Sequence, residues 1–382
     1  MEIDPRNFWS PLISAKVPAI SSSRNTVQKR SLRLDDLIPG IPNEIALRDI
    51  STKFSWKDFH VLSSVSRGWR HAIRGRGVYN ARVHSQTRET LALILYGYHF
   101  DPHQLAVCSM RDGSSYLLPP IPGFEGGVPR CSQCVSLDGR IYVLGGRRDK
   151  NEIPHGEVYV LDLAGQIEWK LCASMTVLEP SFRCGVHHGK IYVFGGSARK
   201  DDPCGQVYDP KTNTWSPRRT TIRVYGNRQL ESVGGELFLL NRIWDKRSHG
   251  IWAYHPVHDE WRKVDLEFPP DELPFVAHGK WHLLGHYGIR VHDADQNLWI
   301  GLHSFPMTEC VISGRIPIRC EAVNEELLAL WDCSDDDEDD FRFFRSKGFC
   351  GDTTEILWEE VPLDFAVDCI KRNHISLSTV QL

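Results

Sequence analysis

From about residue 86 to the end of the chain, apolar residues fall into short runs separated by Gly, Pro, Asn and Asp. Runs of that length, bounded by turn residues, predict many short β-strands. Two runs are near-copies. Arg140-Ile141-Tyr142-Val143-Leu144 ends in Gly145-Gly146, and Lys190-Ile191-Tyr192-Val193-Phe194 ends in Gly195-Gly196, about 50 residues later. Each glycine pair is followed by a Tyr and then a Trp, as Tyr159 and Trp169, then Tyr208 and Trp215. The order returns in weaker form with Phe238-Leu239-Leu240, Tyr254 and Trp261, with Trp281-His282-Leu283-Leu284 and Trp299, and with Leu328-Ala329-Leu330 and Trp358. In these later units Leu240-Asn241, Gly285-His286 and Trp331-Asp332 replace the glycine pair.

Units near 129–176, 179–220, 225–268, 271–308 and 312–365 account for five repeats. The run Thr90-Leu91-Ala92-Leu93-Ile94-Leu95-Tyr96, with Leu105-Ala106-Val107-Cys108, supplies most of a sixth but lacks a leading strand. His374-Ile375-Ser376-Leu377 can provide that strand and close a ring. Closure matters because it removes exposed sheet edges that would otherwise invite aggregation. Paired glycines let backbones approach where side chains would clash, and Tyr and Trp fill the space between neighbouring sheets.

The N-terminal part follows a different period. Residues 1–36, with Ser21-Ser22-Ser23 and the basic Lys29-Arg30, show no sustained apolar periodicity and predict a flexible tail. After Leu37 come three short amphipathic helices. The first opens at Pro42 and carries Ala46, Leu47, Ile50 and Phe54. The second follows Ser55, with Asp58 in capping-box position, and presents Phe59, Leu62 and Val65. The third places Trp69 and Ile73 four apart before Gly75 stops it. So small a unit cannot bury three apolar faces by itself, and the surplus must meet either a second protein or the β-rich region.

The runs Leu37-Ile38-Pro39-Gly40-Ile41-Pro42-Asn43-Glu44-Ile45 and Val65-Ser66-Arg67-Gly68-Trp69-Arg70 resemble the opening and close of the F-box family. Asp49 and Ser51 stand where that family often has apolar residues. The strand, Gly-Gly, Tyr, Trp order resembles the kelch repeat. Together the resemblances imply a mainly β protein: a six-bladed kelch-type β-propeller over residues 86–382, preceded by a small three-helix F-box domain over 37–85. The joining of F-box and kelch units in this order is similar to plant members of the family. The family docks on a Skp-type adaptor that leads to a cullin-RING ubiquitin ligase. By resemblance, Pro42, Ile45, Leu47, Ile50, Phe59, Leu62, Val65 and Trp69 are the candidates for that interface or the small core behind it. The implied function is that of a substrate-recognition adaptor of an SCF-type ligase, with the propeller holding the protein to be ubiquitinated.

Composition narrows the alternatives. A net charge of −4 and a pI near 6.5 provide no broad basic field for nucleic acid. No apolar run reaches the roughly 18 to 20 residues a membrane span needs, and Met1-Glu2-Ile3-Asp4-Pro5 does not open a secretory signal. The expected compartment is the cytoplasm, the nucleus or both, with the eleven cysteines reduced. Cys131 and Cys134 lack a second ligand pair, His187 and His188 precede the turn at Gly189, and Asp335 to Asp340 lack the spaced ligands of a calcium loop. No ordered nucleophile and base pattern is present, so neither catalysis nor a cofactor or metal is expected. A scaffold without a ligase link and a metal-dependent kelch-propeller enzyme remain the alternatives. The loops after the inner strands are the candidate target contacts, through Arg147, Arg148, Arg199, Lys200, Arg242, Trp244 and Arg247, because Arg and Trp often dominate interface energies. Ordinary solvated loops would show the same composition.

Overall fold

The structure, a computed structural model, describes residues 36–382 apart from 99–102, 125, 148–153, 177–181, 196–204, 219–229, 242–249, 267–268, 270–271, 286–287, 304–316, 324–325, 333–340, 348, 350–355 and 362–372. Among the described residues, 24 strands form six antiparallel four-stranded sheets. The first sheet contains β1 (Thr90–Tyr98), β2 (Gln104–Ser109) and β3 (Ser115–Leu117). The second contains β4 (Gln133–Leu137), β5 (Arg140–Leu144), β6 (Val158–Asp162) and β7 (Trp169–Leu171). The third contains β8 (Phe182–His187), β9 (Lys190–Gly195), β10 (Gly205–Asp209) and β11 (Thr214–Arg218). The fourth contains β12 (Leu230–Val233), β13 (Glu236–Asn241), β14 (Gly250–His255) and β15 (Glu260–Val264). The fifth contains β16 (Leu273–Ala277), β17 (Lys280–Gly285), β18 (Gly288–Asp293) and β19 (Leu298–His303). The sixth contains β20 (Pro317–Val323), β21 (Glu326–Asp332), β22 (Phe341–Lys347) and β23 (Leu357–Glu360), and β24 (Asn373–Gln381) returns to the first sheet.

These are the blades of a six-bladed propeller. Each leading strand, β4, β8, β12, β16, β20 and β24, touches the next around the ring, so this set lines the centre. The expected closure is present: β24 pairs antiparallel along the whole of β1, from Thr90 opposite Gln381 to Tyr98 opposite Asn373. The last residue completes it, with Leu382 and Glu89 exchanging two backbone hydrogen bonds of 2.7 and 2.8 Å.

The sequence sets the blade geometry at recurrent turns. Asp138-Gly139, His188-Gly189, Gly234-Gly235 and His278-Gly279 join the first two strands of four blades, and every one of these residues has positive φ. Two consecutive left-handed residues make the tight hairpin whose twist matches the strands, and Gly in second place adopts it without strain. Gly146 serves a closer approach. Its φ is +107°, and a Cβ there would lie 2.6 Å from the Arg130 carbonyl.

A second recurrent device sits between the third and fourth strands. Tyr208 donates to Asn213 Oδ1 at 2.7 Å, and Tyr254 donates to Asp259 Oδ1 at the same distance. In the fifth blade His292 Nε2 lies 3.0 Å from Asn297 Oδ1, so His replaces Tyr in the same role. Asn213, Asp259 and Asn297 all have φ between 52° and 55°, a conformation Asn and Asp tolerate better than most side chains. The repeat Trp then packs on its partner ring, at 5.1 Å for Tyr208 and Trp215 and 5.0 Å for both Tyr254 with Trp261 and His292 with Trp299. Two of the indoles also stitch blades together: Trp169 Nε1 donates to Pro119 O and Trp215 Nε1 to Ala173 O, both at 2.8 Å.

The N-terminal region is helical, as expected, but holds one helix more than the three predicted. The first helix, α1 (Asn43–Ile45), continues through a wide π turn at Ala46–Ile50 and a tight turn at Ser51–Lys53. A short 3-10 turn at Trp56–Asp58 leads into α2 (Phe59–Val65) with the Ser55 and Asp58 capping box formed. The next, α3 (Arg67–Arg74), is capped by Ser66, whose Oγ accepts from Trp69 N at 3.1 Å, and ends at Gly75. The additional α4 (Gly77–Ser85) lies between left-handed residues at Arg76 and Gln86.

One apolar cluster unites these helices with the first two blades. Trp56, Phe59, Leu62, Trp69, Ile73 and Tyr79 share it with Leu93, Leu105, Leu118, Ile141, Leu161 and others of the propeller. Of the two expected destinations for the surplus apolar surface, the β-rich region takes most of it.

Candidate interaction site

The eight residues singled out on the helices divide by depth. Pro42, Ile45 and Val65 are exposed, Leu47 and Ile50 are half-buried, and Phe59, Leu62 and Trp69 are buried in the shared core. Periodicity did not separate surface from core because both follow the same three- and four-residue spacing. Val61, not singled out, joins the exposed set: Val61 and Val65 are 52% and 66% exposed, one turn apart on α2. Asp49 is turned to solvent in an ion pair with Arg48 at 2.8 Å, while Ser51 is buried and donates to the Leu47 carbonyl.

The orientation of this region is fixed by polar contacts that the sequence did not flag. Arg76 Nη1 donates to Asp162 Oδ1 at 2.5 Å, and Arg140 Nε reaches Asp162 Oδ2 at 3.3 Å. Lys57 pairs with Asp112 of the β2–β3 turn. Arg82, within α4, is buried; its Nη2 donates to the carbonyls of Ser51 and Phe54, and its Nη1 lies 3.6 Å from Glu89. Glu89 accepts from Trp56 N at 2.7 Å and from the Ser109 hydroxyl at 3.1 Å. Burial pulls Arg82 below its ordinary pKa and pushes Glu89 above the ordinary carboxylate value, and their mutual attraction opposes both shifts. Arg82 was invisible to sequence reasoning because nothing local marks one arginine in a helix as a core residue.

On the propeller, Arg147 is half-buried and bridged to Arg130, with Arg147 N donating to Arg130 O at 2.8 Å. Arg148, Arg199, Lys200, Arg242, Trp244 and Arg247 lie outside the described residues, as do residues 1–35 and the acidic run 335–340. Five of the six leading strands line a central cavity of about 270 Å³ with polar walls, including Gln133, Ser136, Glu231 and Thr379. Cys134 and Cys184 also line it, and burial pushes both thiols up, Cys184 to about 12, which keeps them protonated and unreactive. His188 occupies the left-handed first position of its hairpin turn. Among the described residues no three His, Cys, Asp or Glu side chains gather as metal ligands, and no helix is long and apolar enough to cross a membrane.

Comparison with known proteins agrees with this geometry. A family model for the kelch motif matches residues 180–220, which is the third blade. An F-box/kelch-repeat protein of Arabidopsis thaliana is 27% identical over 314 residues, covering 77% of this chain and 80% of that one. A second from the same plant is 27% identical over 252 residues, covering 65% and 88%. The F-box/kelch-repeat protein SKIP30, also from Arabidopsis thaliana, is 30% identical over 202 residues, covering 49% and 55%. The chain is similar to F-box/kelch-repeat proteins over much of its length. None of these relatives is named as an enzyme. The matched blade keeps Gly195-Gly196, Tyr208 and Trp215 together, as the second blade keeps Gly145-Gly146, Tyr159 and Trp169, whereas the later kelch-like units have lost the glycine pair.

Proposed function

We propose that this F-box/kelch-repeat chain is the substrate-recognition adaptor of an SCF-type ubiquitin ligase. In this reading residues 37–85 form the F-box that docks on a Skp-type adaptor, residues 86–382 form the propeller that holds the target protein, and residues 1–36 form a tail, all in the cytoplasm or nucleus. The observation that carries it is a set of exposed aliphatic side chains, Ile45, Val61 and Val65, on helices whose Phe59, Leu62, Trp69 and Ile73 are committed to the core.

The mechanism is proximity rather than bond-making. The helices attach to the ligase and the propeller captures the target, whose lysines then experience a high effective concentration of charged ubiquitin carrier. The Arg76–Asp162 and Lys57–Asp112 contacts support that role by making the two ends one rigid spacer. The target is met by propeller loops, Arg147 among them, and the chain itself supplies no catalytic group.

The test is capture of a Skp-type adaptor and cullin by the full chain, beside a variant carrying Pro42→Asp, Ile45→Asp and Val65→Asp. These positions are exposed, so the variant should melt like the parent. Capture by the parent and loss in the variant supports the reading, and no capture by either rejects it. Trp69 is not a usable probe, because at 3% exposure its replacement would damage the core.

A further inference from the structure

We infer that the cavity where α4 and the α4–β1 linker meet the propeller binds a small phosphate-bearing molecule through Arg82, Arg88 and Arg111. The inference does not depend on the ligase reading above. The cavity measures about 590 Å³, within the range of about 300–1,000 Å³ typical of small-molecule sites. It lies on the boundary between the helices and the ring. Arg82 comes from α4, Arg88 from the linker, Arg111 from the β2–β3 turn, and Glu326 from the start of β21 in the sixth blade.

Three guanidiniums here face two carboxylates, Glu89 and Glu326. Glu89 is already engaged: its two oxygens accept from Trp56 N and the Ser109 hydroxyl, and one of them lies 3.6 Å from Arg82 Nη1. Arg82 is the buried member of the trio, with its side chain 1% exposed and its Nη2 given to the Ser51 and Phe54 carbonyls. Its Nε and Nη1 have no hydrogen-bond partner among the described residues. Buried donors on a charged group are costly without an acceptor, and an anion in the cavity offsets that cost. Arg88 and Arg111 are exposed, and among the described residues neither is in an ion pair. Arg111 also stands near enough to add to the effect of burial in lowering the pKa of Arg82, so like charges oppose each other in the free chain.

The donor set selects the ligand's chemistry. A guanidinium presents parallel N–H groups that match phosphate oxygens in pairs, and three of them from separate elements suit a group with several oxygens better than a planar carboxylate. Phe54 and Met110 add apolar wall beside the arginines, which suits an organic body attached to the phosphate. Because its donors come from helix, linker and blade, a bound ligand ties the helices to the ring.

The experiment titrates the full chain by calorimetry with inorganic phosphate, pyrophosphate and a hexose bisphosphate at constant ionic strength, and follows the melt in parallel. The parent should bind pyrophosphate or the bisphosphate saturably, and its melting temperature should climb with probe concentration. Arg88→Gln/Arg111→Gln should bind at least about tenfold more weakly, and should melt like the parent without probe because both positions are exposed. Arg88→Lys/Arg111→Lys should recover only part of the affinity, since it restores charge without the fork. Equal affinity in the parent and the Gln variant overturns the inference, as does the lack of saturable binding of all three probes. A rise in melting temperature that matched chloride reproduces marks ionic screening only and overturns it too. Binding of a phosphoserine peptide, or of vesicles containing a phosphoinositide, without binding of the soluble probes assigns the arginines to a macromolecule and overturns it. None of these outcomes bears on capture of the Skp-type adaptor, so the two readings fail separately.

Discussion

The rings of Trp56 and Tyr116 meet edge to face, 5.5 Å apart at 89°, across the boundary between the helices and the first blade. Trp56 is 2% exposed, and its own backbone N–H is held by Glu89. Trp56→Ala should therefore cost about 3–5 kcal/mol. The loss should appear as a lower denaturation midpoint and as faster proteolysis of the helical region. A midpoint matching the parent's would mean the helices are not anchored by this ring.

Asp162 serves two arginines and one backbone donor: Arg76, Arg140 and the Ala164 N–H at 3.1 Å. Arg76→Ala is expected to cost about 1.5–3 kcal/mol, as for a hydrogen bond to a charged group, and Asp162→Ala more, because it abandons all three donors. Denaturant melts of both variants and the double variant give the coupling. Independent effects would show that the 2.5 Å contact contributes nothing specific.

Burial acts to raise the pKa of Asp112, but the Lys57 ammonium and the Ser114 hydroxyl and N–H outweigh it and hold the carboxyl at about 2, below its ordinary 3.8. A lowered carboxyl pKa adds stability that is full above the unfolded value and disappears as pH falls through the folded one. Acid unfolding should therefore show a component between about pH 4 and 2 that Asp112→Asn removes. Both side chains are about a third exposed, so added salt should shrink it. An identical acid slope in the two proteins would contradict the assignment.

Removal of residues 373–382 takes away the partner of all of β1 and the buried Leu377, Val380 and Leu382. The melting temperature should fall by about 10 °C or more, given that each kcal/mol shifts a domain of this size by only a few degrees. An unchanged melt would mean that the ring holds without its last strand.

Much of the propeller was legible because its repeat is written in residues with few substitutes. A glycine at positive φ, a ring to fill the gap between blades, and a spacing of about 50 residues survive enough drift to be counted. The fifth blade was harder to read because His292 does the work of Tyr208 and Tyr254, an exchange that preserves the hydrogen bond and the ring packing but erases the letter. The helix α4 was missed for the opposite reason. Its pattern is Gly-Val-Tyr-Asn-Ala-Arg-Val-His-Ser, in which a buried arginine interrupts the apolar stripe while Val83 is exposed. At the candidate site, periodicity identified the apolar positions of the helices but not their partition. Whether Ile45 or Phe59 meets water depends on where the propeller lies, which is a tertiary fact.

The pairing of β24 with β1 also orders events during synthesis. The helices and the first blade leave the ribosome early, yet the strand that completes that blade is made only after the other five blades. Until it arrives, β1 presents Leu91, Leu93 and Leu95 along an open edge, a template for pairing with another chain. A chain that stops short of β24 is therefore a sticky one, and the first blade stays open until its final strand arrives.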